Sequence, residues 1–262
     1  MVRWPDTELP AEIAHQLDLL QNAIDAAGNY ATRVEQSKAA WGGKSHALFT
    51  QIRDVLAAMC SGAQRCAYCE DSAADEIEHI YPKDLYPERV FRWINYVFAC
   101  GPCNGPKNAK FAVLVNGDLV LVTRPRGAPL VPPIDGETAL LDPRIEEPME
   151  YLSIDLETFW VLERTDLDHA SLQRARFTIE LLGLNRDYLL RARAEAFDNY
   201  SARLHQYVAY KNEGVSNDVL TLLSQRIKEM NHPAIWYEIK RSGHAQAQEL
   251  GPLLAAAPEL LD

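Results

Sequence analysis

The chain has 262 residues, 47% of them apolar, and carries 26 basic against 37 acidic residues for a formal net charge of -11. That length and apolar share suffice for a buried core and exclude a largely disordered chain, while the acidic balance argues against nonspecific coating of nucleic acid. The apolar stretch Tyr96–Cys100 is far too short to span a bilayer, and the opening MVRWPDTELP lacks a signal peptide's basic start and apolar core, so a cytoplasmic protein without membrane association is expected.

In chain order, Pro10 suits a first helical turn, and Ile13, Leu17, Leu20, Ile24 and Ala27 recur at steps of three and four, predicting an amphipathic helix over 10–27. A second helix is expected over 45–59, with Leu48, Ile52, Val55, Leu56 and Met59 on one face. Between them WGGKS, residues 41–45, has the look of a phosphate-binding loop. That loop would need glycine where Lys38 stands and a preceding strand, so a helix-breaking loop is the better reading.

Next come two C-x-x-C pairs, Cys66/Cys69 and Cys100/Cys103, with Cys60 apart. In a reducing compartment this spacing points to two knuckles closing a tetrahedral thiolate site around structural zinc. Cys60 reads as a small buried hydrophobe. Tyr68, Trp93 and Phe98 read as core around the zinc knuckles. Between residues 80 and 126 seven bases face three acids, a local excess of +4 in an acidic chain.

AVLVNGDLVLVTR predicts a β-hairpin turning at Asn116-Gly117, and the proline-rich residues 125–148 read as a connecting loop. Asp168 is expected to cap a helix carrying Leu172, Ala175, Ile179 and Leu182, Gly183 to stop it, and Asn185 to cap the next. That next helix is long, with Leu189, Ala192, Ala196, Tyr200, Leu204 and Tyr207 on its apolar face; another carries Val219, Leu222, Leu223 and Met230. The tail after Leu250 is expected to be partly ordered at best. His15, His46, His169, His205, His232 and His244 fall in no ligand-like cluster and are expected on surfaces or helix ends.

The residue types that hydrolyse a phosphodiester gather between the cysteine pairs. Such cleavage needs an activated water and a cation that neutralises phosphoryl charge. In EIEHIYPK, His79 has a near-neutral pKa suited to proton abstraction, and Glu78 offers a carboxylate for a cation. On an extended segment neighbouring side chains face opposite ways, so the two can serve separate tasks. In CGPCNGPKNAK, Asn104 and Asn108 lie four apart on one helical face; amide and carboxylate oxygens suit Mg²⁺, Mn²⁺ or Ca²⁺ rather than zinc.

The order CAYC, EHIYP, Asn95 in WINYVFAC, then CGPCNGPKN resembles an HNH endonuclease of the ββα-metal class with a four-cysteine zinc site. The resemblance implies His79 as general base, Asn95 as the asparagine that holds the loop and the base, and Glu78 and Asn104 as ligands of a catalytic Mg²⁺ or Mn²⁺. It implies phosphate contact at Lys107, with Lys83 and Lys110 as further substrate-binding residues. Glu78 stands where the family usually has aspartate, and KDLYPERVF replaces the usual Gly-Gly loop.

With LLDPRIEEP and TIELLGLNRDYLLRAR added, the chain resembles the nuclease subunit of Septu and retron-associated antiphage systems, which implies an ABC- or SMC-type ATPase partner. The expected fold is α+β: an N-terminal helical segment (1–59), an HNH core with zinc site (60–125) and a C-terminal helical region (126–262). The expected substrate is DNA, with RNA open. A non-catalytic zinc-stabilised protein- or nucleic-acid-binding module is the alternative.

Overall fold

The structure, a computed structural model, describes residues 1–242 and 250–261. Helix α1 (Ala11–Asp25) buries Ile13, Leu17 and Ile24 on the expected face, and Gln21 beside them. Its Nε2 donates to the Pro87 carbonyl at 3.0 Å and its Oε1 accepts from the Phe91 amide at 2.8 Å, so a polar residue in the apolar stripe is satisfied by the loop it faces. Helix α2 (Tyr30–Gly42), capped by the Asn29 side chain, was not legible from periodicity, because only Val34 and Ser37 of it are buried. It ends inside WGGKS, so the expected loop is confined to residues 43–45. Ser45 then caps α3 (His46–Met59), which buries Leu48, Phe49, Ile52, Leu56 and Met59. Burying such side chains contributes about 1.5–3 kcal/mol each.

The middle of the chain forms an antiparallel pair, β1 (Glu76–His79) with β2 (Tyr96–Ala99), in the register Glu78 opposite Val97 and His79 opposite Tyr96. Helix α4 (Gly101–Lys107) follows β2 directly. The hairpin of β3 (Phe111–Val115) and β4 (Asp118–Val122) turns as expected, with positive φ at Asn116 (53°) and Gly117 (87°). Short β5 (Glu137–Thr138) adds to β3 and anchors the proline-rich stretch. A third pair, β6 (Leu152–Ile154) with β7 (Val161–Glu163), is too short to leave a sequence signature.

Asp168 caps α5 (His169–Leu182) by accepting from the Ser171 amide, and Gly183 ends it at φ 56°. Asn185 does not cap α6 (Asp187–Asn212). Its amide instead exchanges two 2.8 Å hydrogen bonds with the Val161 backbone, pinning β7. In α7 (Asn217–Lys228) Leu223 and Ile227 are buried, whereas Val219 and Leu222 are exposed. Helix α8 (Pro233–Ser242) follows. The tail is more ordered than expected: α9 (Gly251–Ala256) packs against α6, with Leu250, Leu254, Ala257 and Leu260 buried. His244 lies outside the described residues. His232 is no surface residue; it is 1% exposed, with Nε2 3.4 Å from Asp71.

One continuous apolar core takes residues from α1, α3, both cysteine knuckles, β2, β6 and α5 to α9. Buried Arg144, of LLDPRIEEP, donates to the Tyr96 carbonyl at 2.6 Å and lies over the Trp93 ring, locking the start of β2. Among the described residues no helix is long and apolar enough to cross a membrane.

Gly136 makes the closest backbone approach in the proline-rich stretch: a Cβ there would lie 2.6 Å from the Leu114 carbonyl oxygen and 2.8 Å from Val113 Cβ. Gly136→Ala is therefore expected to cost about 1–3 kcal/mol, as overpacking against backbone does, measured by urea unfolding.

Candidate metal centre and catalytic cavity

The four sulfur atoms of Cys66, Cys69, Cys100 and Cys103 lie within 4.8 Å of one another and all four residues are buried. The Cys69 and Cys100 sulfurs are 3.8 Å apart. Ligands about 2.3 Å from a tetrahedral zinc sit roughly 3.8 Å from each other, so the cluster is compatible with structural zinc. The first knuckle is shaped by the Glu70 amide donating to the Cys66 carbonyl, with Glu70 at φ 63°. The second is the start of α4, where the Cys103 and Asn104 amides donate to the Cys100 carbonyl. Four thiolates around a divalent ion leave two negative charges, and Arg186 Nη2 approaches the Cys103 sulfur at 3.3 Å to offset them. Cys60 stands outside the cluster, half-buried, with its thiol on the Leu56 carbonyl; burial pushes its pKa up to about 12.

Because the knuckles bracket β1 and open α4, they set both elements around a cavity of about 260 Å³. Its lining includes Trp41, Glu78, His79, Lys83, Asn104 and Asn108. Glu78, His79 and Asn104, separated by up to 26 positions in the chain, thus meet at one place.

His79 is 5% exposed, and its Nε2 lies 3.0 Å from the Val90 carbonyl oxygen. A carbonyl can only accept, so Nε2 carries the proton and Nδ1 keeps the lone pair. The ring is wedged edge-on between Trp41 (centroids 4.4 Å apart) and Tyr96 (5.1 Å), whose hydroxyl also donates to the Val90 carbonyl. Burial, with the positive charges of Lys83, Lys107 and Lys44 assisting, brings the His79 pKa down to about 3. At neutral pH the imidazole is uncharged.

Asn95 is buried and bonds backbone on both sides of the 80–90 loop. Its Oδ1 accepts from the Tyr81 amide at 2.7 Å, and its Nδ2 donates to the Tyr81 and Arg89 carbonyls at 3.1 and 2.9 Å. That loop presents the Val90 carbonyl on which His79 rests.

Glu78 is buried, and its carboxylate takes the ammonium of Lys107, which also donates to the His79 carbonyl at 2.8 Å. Burial raises the Glu78 pKa while Lys107 opposes the rise. Lys107 itself is 0% exposed, so the expected phosphate contact is corrected: its stem is enclosed and its charge is committed to the β1 backbone and Glu78. Lys83 does line the cavity; Lys110 is exposed on the turn after α4 and outside the lining.

Asn104 Nδ2 donates to Glu76, a residue the sequence reading passed over although it lies two positions before Glu78 and hence on the same strand face. With the amide nitrogen so engaged, Oδ1 accepts from no described residue. A carboxylate and an amide oxygen on one polar cavity form a donor set suited to a hard divalent cation such as Mg²⁺ or Mn²⁺. Trp41 is the second missed residue; its signal was an aromatic at the edge of a rejected motif.

Cys66→Ser or Cys100→Ser, or chelation of the wild type, is expected to release zinc and unfold the core, because structural zinc binding is coupled to folding; metal analysis and thermal melts read both. A second expectation concerns pH. His79 is held neutral when folded but titrates near 6.5 when unfolded, so the unfolded chain binds more protons below that pH. Its stabilising contribution is complete above pH 6.5 and declines as pH falls toward 3. Asp142, raised by burial to about 6, acts in the opposite sense in part of that window. The wild type should therefore lose melting temperature between pH 6.5 and 4 more steeply than His79→Gln, a comparison in which the Asp142 contribution cancels.

No family profile matches the chain. Comparison with curated proteins finds partial homology to the Septu protein PtuB of Bacillus thuringiensis, 40% identical over 57 residues. The match covers 20% of this chain and 22% of that protein's length.

Proposed function

We propose that the chain is a metal-dependent HNH endonuclease with a ββα-metal core, the nuclease subunit of an antiphage defence system that works with an ABC- or SMC-type ATPase. The observation that carries this reading is the convergence of Glu78, Asn104 and a His79 ring whose Nε2–H is engaged by the Val90 carbonyl, with all three residues lining one cavity. The order of β1, β2 and α4 around a four-cysteine cluster supports it, as does the partial homology to the Septu protein.

In this mechanism His79 Nδ1 takes a proton from water, and the resulting hydroxide attacks phosphorus in line with the departing ester oxygen, which is protonated from solvent. Asn95 holds the loop that orients the ring. Lys83 neutralises a phosphate at the cavity rim, with Lys110 further along the substrate. Glu78 and Asn104 would hold Mg²⁺ or Mn²⁺, which when bound supplies charge neutralisation on the phosphoryl and leaving oxygens. Lys107 opposes the effect of burial on Glu78 and orients its carboxylate.

His79→Ala is expected to lower cleavage of DNA or RNA at least about a hundredfold, the low end of the general-base contribution. Zinc content and fold should be unchanged. The assay pairs wild type and variant with Mg²⁺ or Mn²⁺, with and without the ATPase. Equal cleavage by the two would remove His79 from the mechanism. No cleavage by wild type under any of these conditions would leave the zinc-stabilised binding module as the function.

A further inference from the structure

The α2–α3 junction stands beside the cavity and contributes more than Trp41. A second cavity, of about 270 Å³, is lined by Gly42, Lys44, His46, Phe49, Thr50 and Arg53. Trp41 lines the first cavity and Gly42, the next residue, lines this one. Lys44 bridges them: its ammonium lies 4.5 Å from the Trp41 ring centroid and 5.7 Å from that of Phe49, and it donates to the Trp41 carbonyl at 3.2 Å. Arg53 is exposed and commits one guanidinium nitrogen to the Asp75 carbonyl, just ahead of β1.

Among the described residues none of Lys44, Arg53 and Lys83 has a carboxylate within ion-pair distance, whereas Asp84, on the same rim as Lys83, is already faced by Lys38 at 3.6 Å. In a chain of net charge -11, three cations without a carboxylate partner among the described residues line these two cavities, Lys83 the first and Lys44 and Arg53 the second. The Lys44 pKa is lowered first by burial and then by the charges of Arg53 and Lys83, which places Lys44 in the field of both. Like charges gathered with no internal counter-ion favour a polyanion that visits from outside.

We propose that Lys44 and Arg53 form a phosphate subsite that continues the Lys83 rim across the α2–α3 junction, binding the sugar–phosphate backbone beside the scissile bond. This subsite rests on the nuclease reading and extends it, since the N-terminal helices then contribute to substrate binding as well as to the core. Its ligand is the phosphodiester backbone shared by DNA and RNA, and base identity plays no part.

The test uses the full chain carrying His79→Ala, so that binding is read without cleavage. Fluorescently labelled DNA and RNA of the same sequence, single-stranded and duplex, are titrated over a range of salt. Adding Lys44→Gln and Arg53→Gln is expected to weaken binding and to reduce the slope of log affinity against log salt by about 1.8 on duplex DNA, about 0.9 for each phosphate contact. The Lys44→Arg, Arg53→Lys pair should restore the slope. Arg226→Gln with Lys228→Gln, on exposed positions of α7, removes the same charge and should leave it unchanged. Equal slopes for the two double-glutamine variants, in a protein whose wild type cleaves nucleic acid, would overturn the subsite and leave the nuclease standing. Absence of binding and of cleavage by wild type would overturn both.

Discussion

Four sulfur atoms within 4.8 Å of one another are the constraint on which the rest of this structure depends. Two come from the knuckle before β1 and two from the end of β2 and the start of α4, so a single ion held by them would fix the separation of three elements that are each too short to persist alone. Strands of four residues and a helix of seven that contains Pro106 have little intrinsic stability. Arg186 brings the C-terminal region to this point through the Cys103 sulfur, and Arg144 brings the segment after β5 to the start of β2. Both arginines bond backbone or sulfur rather than carboxylate, so the core is tied to its surroundings by directional hydrogen bonds that fix register.

From that anchor the cavity acquires its chemistry by burial. Glu78 and His79 are adjacent in sequence but meet different surroundings: the carboxylate faces Lys107, the imidazole faces Trp41, Tyr96 and the Val90 carbonyl. Burial raises one pKa and lowers the other, since each favours the neutral form. Lys107 counters the first effect, and the hydrogen bond to the Val90 carbonyl counters the second only in part. The pair therefore places a buried carboxylate and a neutral imidazole side by side.

The N-terminal helices do more than cover the core. Gln21 of α1 holds the Pro87 and Phe91 backbone on either side of Val90, while Trp41 at the end of α2 packs on the imidazole. The His79 ring is thus positioned from the N-terminal segment as much as from Asn95. A second carboxylate, Glu76, steadies the Asn104 amide, so both proposed oxygen ligands are oriented by a charged neighbour.

Read alone, the chain showed its two cysteine pairs, the hairpin at Asn116-Gly117, α1, α3, α5 and α6, because each depends on local spacing, periodicity or turn chemistry; the roles expected of Glu78, His79, Asn95 and Asn104 came from a family resemblance, and the structure adds that Glu78, His79 and Asn104 line one cavity. It was silent where partners lie far apart in sequence. Helix α2 buries too few residues to show a stripe, and α9 packs on α6, far away in the chain. Asn185 has a capping residue's chemistry but finds the Val161 backbone instead. Lys107 has the character of a phosphate ligand until β1 encloses it. Local sequence determined which groups can ionise, coordinate or turn; only the tertiary structure decided which of them lose water, and a charge stripped of water takes the nearest buried partner whatever its place in the chain.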